Sequence, residues 1–131
     1  MRSLIIICAI TFIISVDLQK GCSYLRSRAT RKSQGKCAAF VASALQQAGF
    51  SFNRQPSAYQ YHSNGILKKI GFREIGRGNH KTGDVYVQDK TNSHVHGHMA
   101  MFCGQWISDF VQRSDQVYSK DAGAIHYYRY G

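Results

Sequence analysis

Residues 37–48 form the one segment whose spacing permits little except a buried amphipathic helix. Phe40, Val41, Ala44, Leu45 and Ala48 recur at intervals of one, three and four, so they stack in one stripe of a 3.6-residue period. Ser33 or Gly35 can cap the start, and Gly49 provides the stop. Cys37 lies one turn before Val41 and shares its face. A thiol is thereby set at a helix start and turned toward whatever packs there.

The rest of the chain says what packs there. A second helix is expected over residues 57–70, with Tyr61, Ile66 and Leu67 facing inward and Gly71 just past its end. The period then changes. Residues 84–87 read as a short strand after a Lys-Thr-Gly turn, 96–102 and 106–111 as two strands joined tightly through Gly104-Gln105, and 124–129 as a last, aromatic strand. Residues 23–35 are basic and polar and read as an irregular approach to the helix. Helices first and short strands after predict an α+β domain, with N-terminal helices packed on a small antiparallel sheet.

The chain has 131 residues, enough for one domain. Arg2 and the apolar run 4–14, followed by polar Asp17, Gln19 and Lys20, read as a secretory leader. Residues 1–21 are assigned to it, with cleavage between 15 and 22, and residues 22–131 to the domain. The apolar run is too short to span a bilayer comfortably, so stable membrane insertion is not expected. Cys22, Cys37 and Cys103 remain after the leader, an odd number in an oxidising compartment. In a strand through residues 97–104, Met99, Met101 and Cys103 share one face, and His98, Ala100 and Phe102 the other. Cys103 therefore points away from His98, and the expected disulfide is Cys22–Cys103 with Cys37 free. A net charge of +10 draws such a protein to polyanions, bacterial walls among them. Arg26, Arg28, Arg31, Lys68, Lys69 and Arg73 are candidates for that contact. No nucleic-acid motif is visible, and none is expected as a partner.

A thiol at a helix start has unpaired backbone N–H groups and the positive end of the dipole beside it. His98 opens a strand, and Asp109 lies on the next. Across a tight hairpin the two are expected to lie opposite or diagonal, so that Asp109 can orient the imidazole. Cysteine, histidine and carboxylate in this chain order make a nucleophile, a base and an orienting group. Cys37, His98 and Asp109 are thus the expected catalytic residues, with no metal and no cofactor. An alternative uses His94, His96 and His98, whose alternate spacing would align three imidazoles for a catalytic zinc. Another needs no chemistry: a cationic wall-binding or antimicrobial protein.

Gly35-Lys36-Cys37-Ala38-Ala39-Phe40-Val41, Gly83-Asp84-Val85-Tyr86-Val87, Gly97-His98-Met99-Ala100-Met101-Phe102 and Trp106-Ile107-Ser108-Asp109-Phe110 resemble the NlpC-type and CHAP cysteine amidases. The likeness covers residues 30–112. It extends to the type VI secretion amidase effectors and their secreted homologues in ticks and other arthropods. The resemblance implies a papain-like fold and an enzyme that cuts amide bonds in wall peptides, with bacterial peptidoglycan as its partner; a monomer is expected. It implies the nucleophile at Cys37, the base at His98 and the variable third position at Asp109. With the leader, it implies a secreted antibacterial hydrolase that acts in innate defence. It leaves open whether the γ-D-glutamyl–diamino-acid bond or the D-alanyl crosslink is cut.

Overall fold

The computed structural model describes residues 15–131; most of the expected leader, residues 1–14, lies outside the described residues. Among the described residues four helices precede and flank a five-stranded antiparallel sheet. The helices are α1 (Leu18–Arg28), α2 (Cys37–Gln47), α3 (Gln60–Ser63) and α4 (Ile66–Lys69). The strands are β1 (Phe72–Ile75), β2 (Val85–Gln88), β3 (His98–Phe102), β4 (Trp106–Ile107) and β5 (Ile125–Tyr130). Their order in the sheet is β1-β5-β2-β3-β4. The expected α+β architecture of helices on a small antiparallel sheet is the one observed. Among the described residues no helix is long and apolar enough to cross a membrane.

The stripe on α2 makes the core. Val41, Ala42, Ala44 and Leu45 are buried against Val85, Val87, Met99 and Met101 of the sheet. On its other side α2 meets α1 at small residues: a Cβ on Gly21 would lie 2.8 Å from the Ala44 carbonyl oxygen. That close approach is open to glycine and closed to larger residues. The opposite face of the sheet carries a smaller aromatic cluster of Tyr86, Ala100, Trp106 and Tyr127. Strand alternation thus puts Met99 and Met101 under α2 and Ala100 on the far side, as the period of two requires.

The Cys22–Cys103 disulfide forms, with Cα atoms 5.6 Å apart, and Cys37 is free. It ties α1 to the turn after β3.

Several elements differ from their sequence reading. The segment read as part leader, part irregular approach holds α1, whose Asp17 Oδ1 accepts from Lys20 N. The expected helix over 57–70 is two single turns, separated where Gly65 takes a left-handed φ of 65°. β1 was not anticipated; it pairs with β5 from Phe72 to Ile75. The strand expected over 106–111 stops at Ile107. There the approach segment takes over the pairing: Asp109 O accepts from Thr30 N at 3.2 Å, and Val111 N donates to Thr30 O at 3.0 Å.

Candidate functional site

The early end of β4 opens the site. β4 pairs with β3 only at Met101 and Phe102, so the edge of β3 at His98 and Met99 is free to meet the start of α2. Cys37 opens α2, and its sulfur takes a hydrogen bond from the Met99 backbone, one residue from His98.

Lys36, the N-cap residue, makes no side-chain cap bond. Asp109 arrives from across the chain instead. Its Oδ2 accepts from Gln34 N at 2.5 Å, Lys36 N at 2.9 Å and Ser33 Oγ at 3.4 Å. Its Oδ1 accepts from Ser108 Oγ at 3.2 Å. A fully buried carboxylate is tolerable because these donors surround it. Asp109 therefore holds the turn that delivers Cys37. Its carboxylate is committed to that turn and makes no hydrogen bond to His98.

The hydrogen-bond partner of His98 is Gln112. His98 Nε2 lies 2.8 Å from Gln112 Oε1. Gln112 Nε2 donates to Tyr86 Oη and to Ser114 O, both at 2.9 Å. A backbone carbonyl only accepts, so the Ser114 bond fixes which end of the amide is nitrogen. Oε1 then faces His98, and a neutral His98 must carry its proton on Nε2. Nδ1 is left with the free lone pair. The loop bearing Gln112 is itself anchored: Asp115 takes two bonds from Arg77, at 2.8 and 2.9 Å, and one from Tyr127 Oη.

Burial governs the titration of both Cys37 and His98. It pushes the Cys37 thiol from 9.0 up to about 11. The Met99 amide opposes that rise, the Asp109 charge adds to it, and the N–H groups of Ala38 and Cys37 oppose it. Burial also pushes His98 below its ordinary 6.5, against the Gln112 hydrogen bond and the Asp109 charge. Both groups rest neutral near pH 7.

A cavity of about 220 Å³ opens beside the thiol, lined by Lys36, Cys37, Ala38, Pro56, Ser57 and His96 among others. Past Phe110, whose ring is 6.2 Å from that of His98, a second cavity of about 280 Å³ is lined by Arg31 and Arg113.

The alternate histidines do not converge. His94 stacks on Tyr118 at 3.5 Å, His96 Nδ1 lies 2.7 Å from Ser57 Oγ, and His98 turns to Gln112. They do not form the three-imidazole zinc centre that their spacing suggested, because β3 begins only at His98 and the preceding residues are turn. Among the described residues the side chains grouped tightly enough for a metal are His62, Asp89 and His126.

The structure brings Cys37 to the Met99 backbone, next in the chain to His98, and gives His98 a partner, Gln112, that sequence reasoning missed. The one available signal was a polar residue, amide as well as carboxylate, just past the strand that follows His98.

Residues 13–120 match the family of bacteriophage peptidoglycan hydrolases. Two solved structures of the type VI effector–immunity complex Tae3–Tai3 from Ralstonia pickettii contain a similar chain. The native form matches at 33% identity and a TM-score of 0.75, covering 88% of this chain and 99% of that one. The selenomethionine form matches at 34% identity and a TM-score of 0.73, covering 83% and 98%. No curated protein matches. The family match spans most of the residues and the effector likeness spans the same fold, so this chain belongs to the bacteriophage peptidoglycan hydrolase family.

Proposed function

We propose that the protein is a secreted cysteine amidase that hydrolyses amide bonds in the peptides of bacterial walls. Family membership supplies peptidoglycan hydrolysis. The observation that carries the thiol mechanism is the fixed His98 tautomer at a strand start whose next residue, Met99, hydrogen-bonds the free Cys37 at a helix start.

Cys37 Sγ attacks the scissile carbonyl while His98 Nδ1 takes the thiol proton. Burial keeps both groups neutral at rest, so His98 acts as a general base at the moment of attack. Gln112 holds the ring and accepts from Nε2–H throughout. The oxyanion forms against N–H groups at the start of α2, which have no intrahelical partners. The C–N bond breaks as Nδ1–H protonates the leaving amine. Water then attacks the thioester with Nδ1 taking its proton, and the carboxylic acid leaves as the thiol is restored. Asp109 supports this chemistry by fixing the helix approach and by placing a negative charge near the imidazolium that forms.

Secretion rests on the leader and on a disulfide between α1 and the β3 turn, which persists in oxidising compartments. Asp17 caps α1, so cleavage on the N-terminal side of Asp17 keeps the folded helix whole. A basic protein that cuts walls fits an antibacterial role, with the +10 charge concentrating it on anionic surfaces.

The test is digestion of purified sacculi, with products read by mass. Wild type releases muropeptides, Cys37→Ala releases none, and a chelator changes nothing. Release by Cys37→Ala at the wild-type rate would sink the reading.

A further inference from the structure

The cavity beside Cys37 has a chemical bias. Its lining combines Lys36 and His96 with Gly35, Ala38, Ala39, Pro56, Ser57 and Ala58, and includes no carboxylate. Among the described residues Lys36 Nζ has no carboxylate within 4.0 Å, because Asp109 engages the backbone N–H of Lys36 and not its ammonium. His96 is anchored by Ser57, whose Oγ lies 2.7 Å from Nδ1. When that hydroxyl donates, the proton of a neutral His96 sits on Nε2. Nε2 is then a hydrogen-bond donor whether the ring is neutral or charged. Ser57 is itself held, since its N–H donates to Gln60 Oε1 at 2.9 Å. A cation and an anchored N–H donor therefore share one small space with the nucleophile.

Wall peptides offer that space a matching group. A γ-linked glutamyl amide keeps its α-carboxylate free on the residue that supplies the scissile carbonyl. A crosslink to the side-chain amine of diaminopimelate keeps a carboxylate on the carbon that bears that amine. An ordinary peptide bond uses up both α groups and has no such charge.

We propose that Lys36 and His96, the latter held by Ser57, form a carboxylate-binding subsite for the free acid adjoining the scissile amide. This rests on the amidase reading given above. Lys36 supplies the compact charge, His96 Nε2 the directional hydrogen bond, and Ala38 and Pro56 the apolar wall that strengthens both. The subsite positions the carbonyl on Cys37 and separates wall amides from ordinary peptide bonds.

The test uses soluble crosslinked stem-peptide dimers in two forms: free acid, and amidated at the glutamyl and diamino-acid carboxylates. Wild type should prefer the free acid by at least about tenfold in kcat/KM, chiefly through KM. His96→Ala and Lys36→Gln should each shrink that preference, and the double variant should bring it close to one. His96→Gln retains an N–H donor and should keep part of it, which a merely structural role would not explain. Both side chains are exposed, so folding is not at stake. A wild type without preference, or a double variant that keeps it, overturns the subsite while leaving the amidase. Failure of wild type to cut either form, or undiminished cutting by Cys37→Ala, removes the amidase reading and the subsite with it.

Discussion

Gln112 and Asp109 lie on one loop and hold different things, so their substitutions should separate. Gln112→Leu removes the acceptor for His98 Nε2–H and strands a buried Tyr86 hydroxyl. We expect a loss of about 10²-fold in kcat with little change in KM, because the base is no longer held in its tautomer. Asp109→Asn keeps one acceptor but loses the charge that gathers Gln34 N and Lys36 N. Its main effect should be a destabilisation of about 1–3 kcal/mol, read by thermal melting. An Asp109→Asn enzyme with wild-type stability and negligible kcat would make the carboxylate a direct participant in the reaction and count against Gln112 as sole orienting group.

Two features act at the scale of whole elements. Gly97 precedes the first residue of β3 in a left-handed conformation, and a Cβ there would lie 2.2 Å from the Gln88 carbonyl oxygen. Gly97→Ala must push β3 away from β2 exactly where His98 is presented. The expected cost is about 1–3 kcal/mol from the backbone conformation alone, with kcat falling as well. Wild-type stability and rate in that variant would show that the strand end tolerates the shift. The Cys22–Cys103 bond closes a span of 81 residues and holds α1 on the sheet. Reducing it should lower stability by about 3–5 kcal/mol, seen as an earlier urea midpoint in reductant. The same midpoint with and without reductant would mean that Gly21–Ala44 packing alone seats α1.

For the whole molecule, His98 and Cys37 set opposite limits on stability. His98 titrates below 6.5 in the fold and near 6.5 when unfolded. As pH falls below 6.5 the unfolded chain takes up the proton first, so stability declines on the acid side. The Cys37 thiol titrates at about 11 in the fold against 9.0 otherwise, so the unfolded chain ionises first as pH rises above 9.0, and stability declines there too. Chemical denaturation across pH should show a plateau between these limits, and Cys37→Ala should extend it on the alkaline side. An alkaline limb unchanged in that variant would assign it to other groups. The surface charge gives a further expectation. Digestion of intact sacculi should slow markedly from low to physiological salt, while cleavage of a soluble stem peptide should not.

The helical stripe of residues 37–48, the alternation that separates Met99 and Met101 from Ala100, and the choice of Cys22–Cys103 over Cys37 were all legible in the sequence, because each follows from local period. So was the placement of Cys37 at a helix start and His98 at a strand start, since each is recognisable by itself. What the period of a strand does not contain is where pairing stops. β4 ends at Ile107 because Thr30, distant in sequence, captures the backbone of Asp109 and Val111. That single exchange turns Asp109 toward the approach to α2 and leaves His98 to Gln112. The same limit applies to His94 and His96: alternate spacing aligns imidazoles only inside a strand, and tertiary pairing decided that the strand begins at His98. Local period therefore determined where the candidate thiol and imidazole sit, at a helix start and a strand start, and long-range backbone competition decided what holds the imidazole.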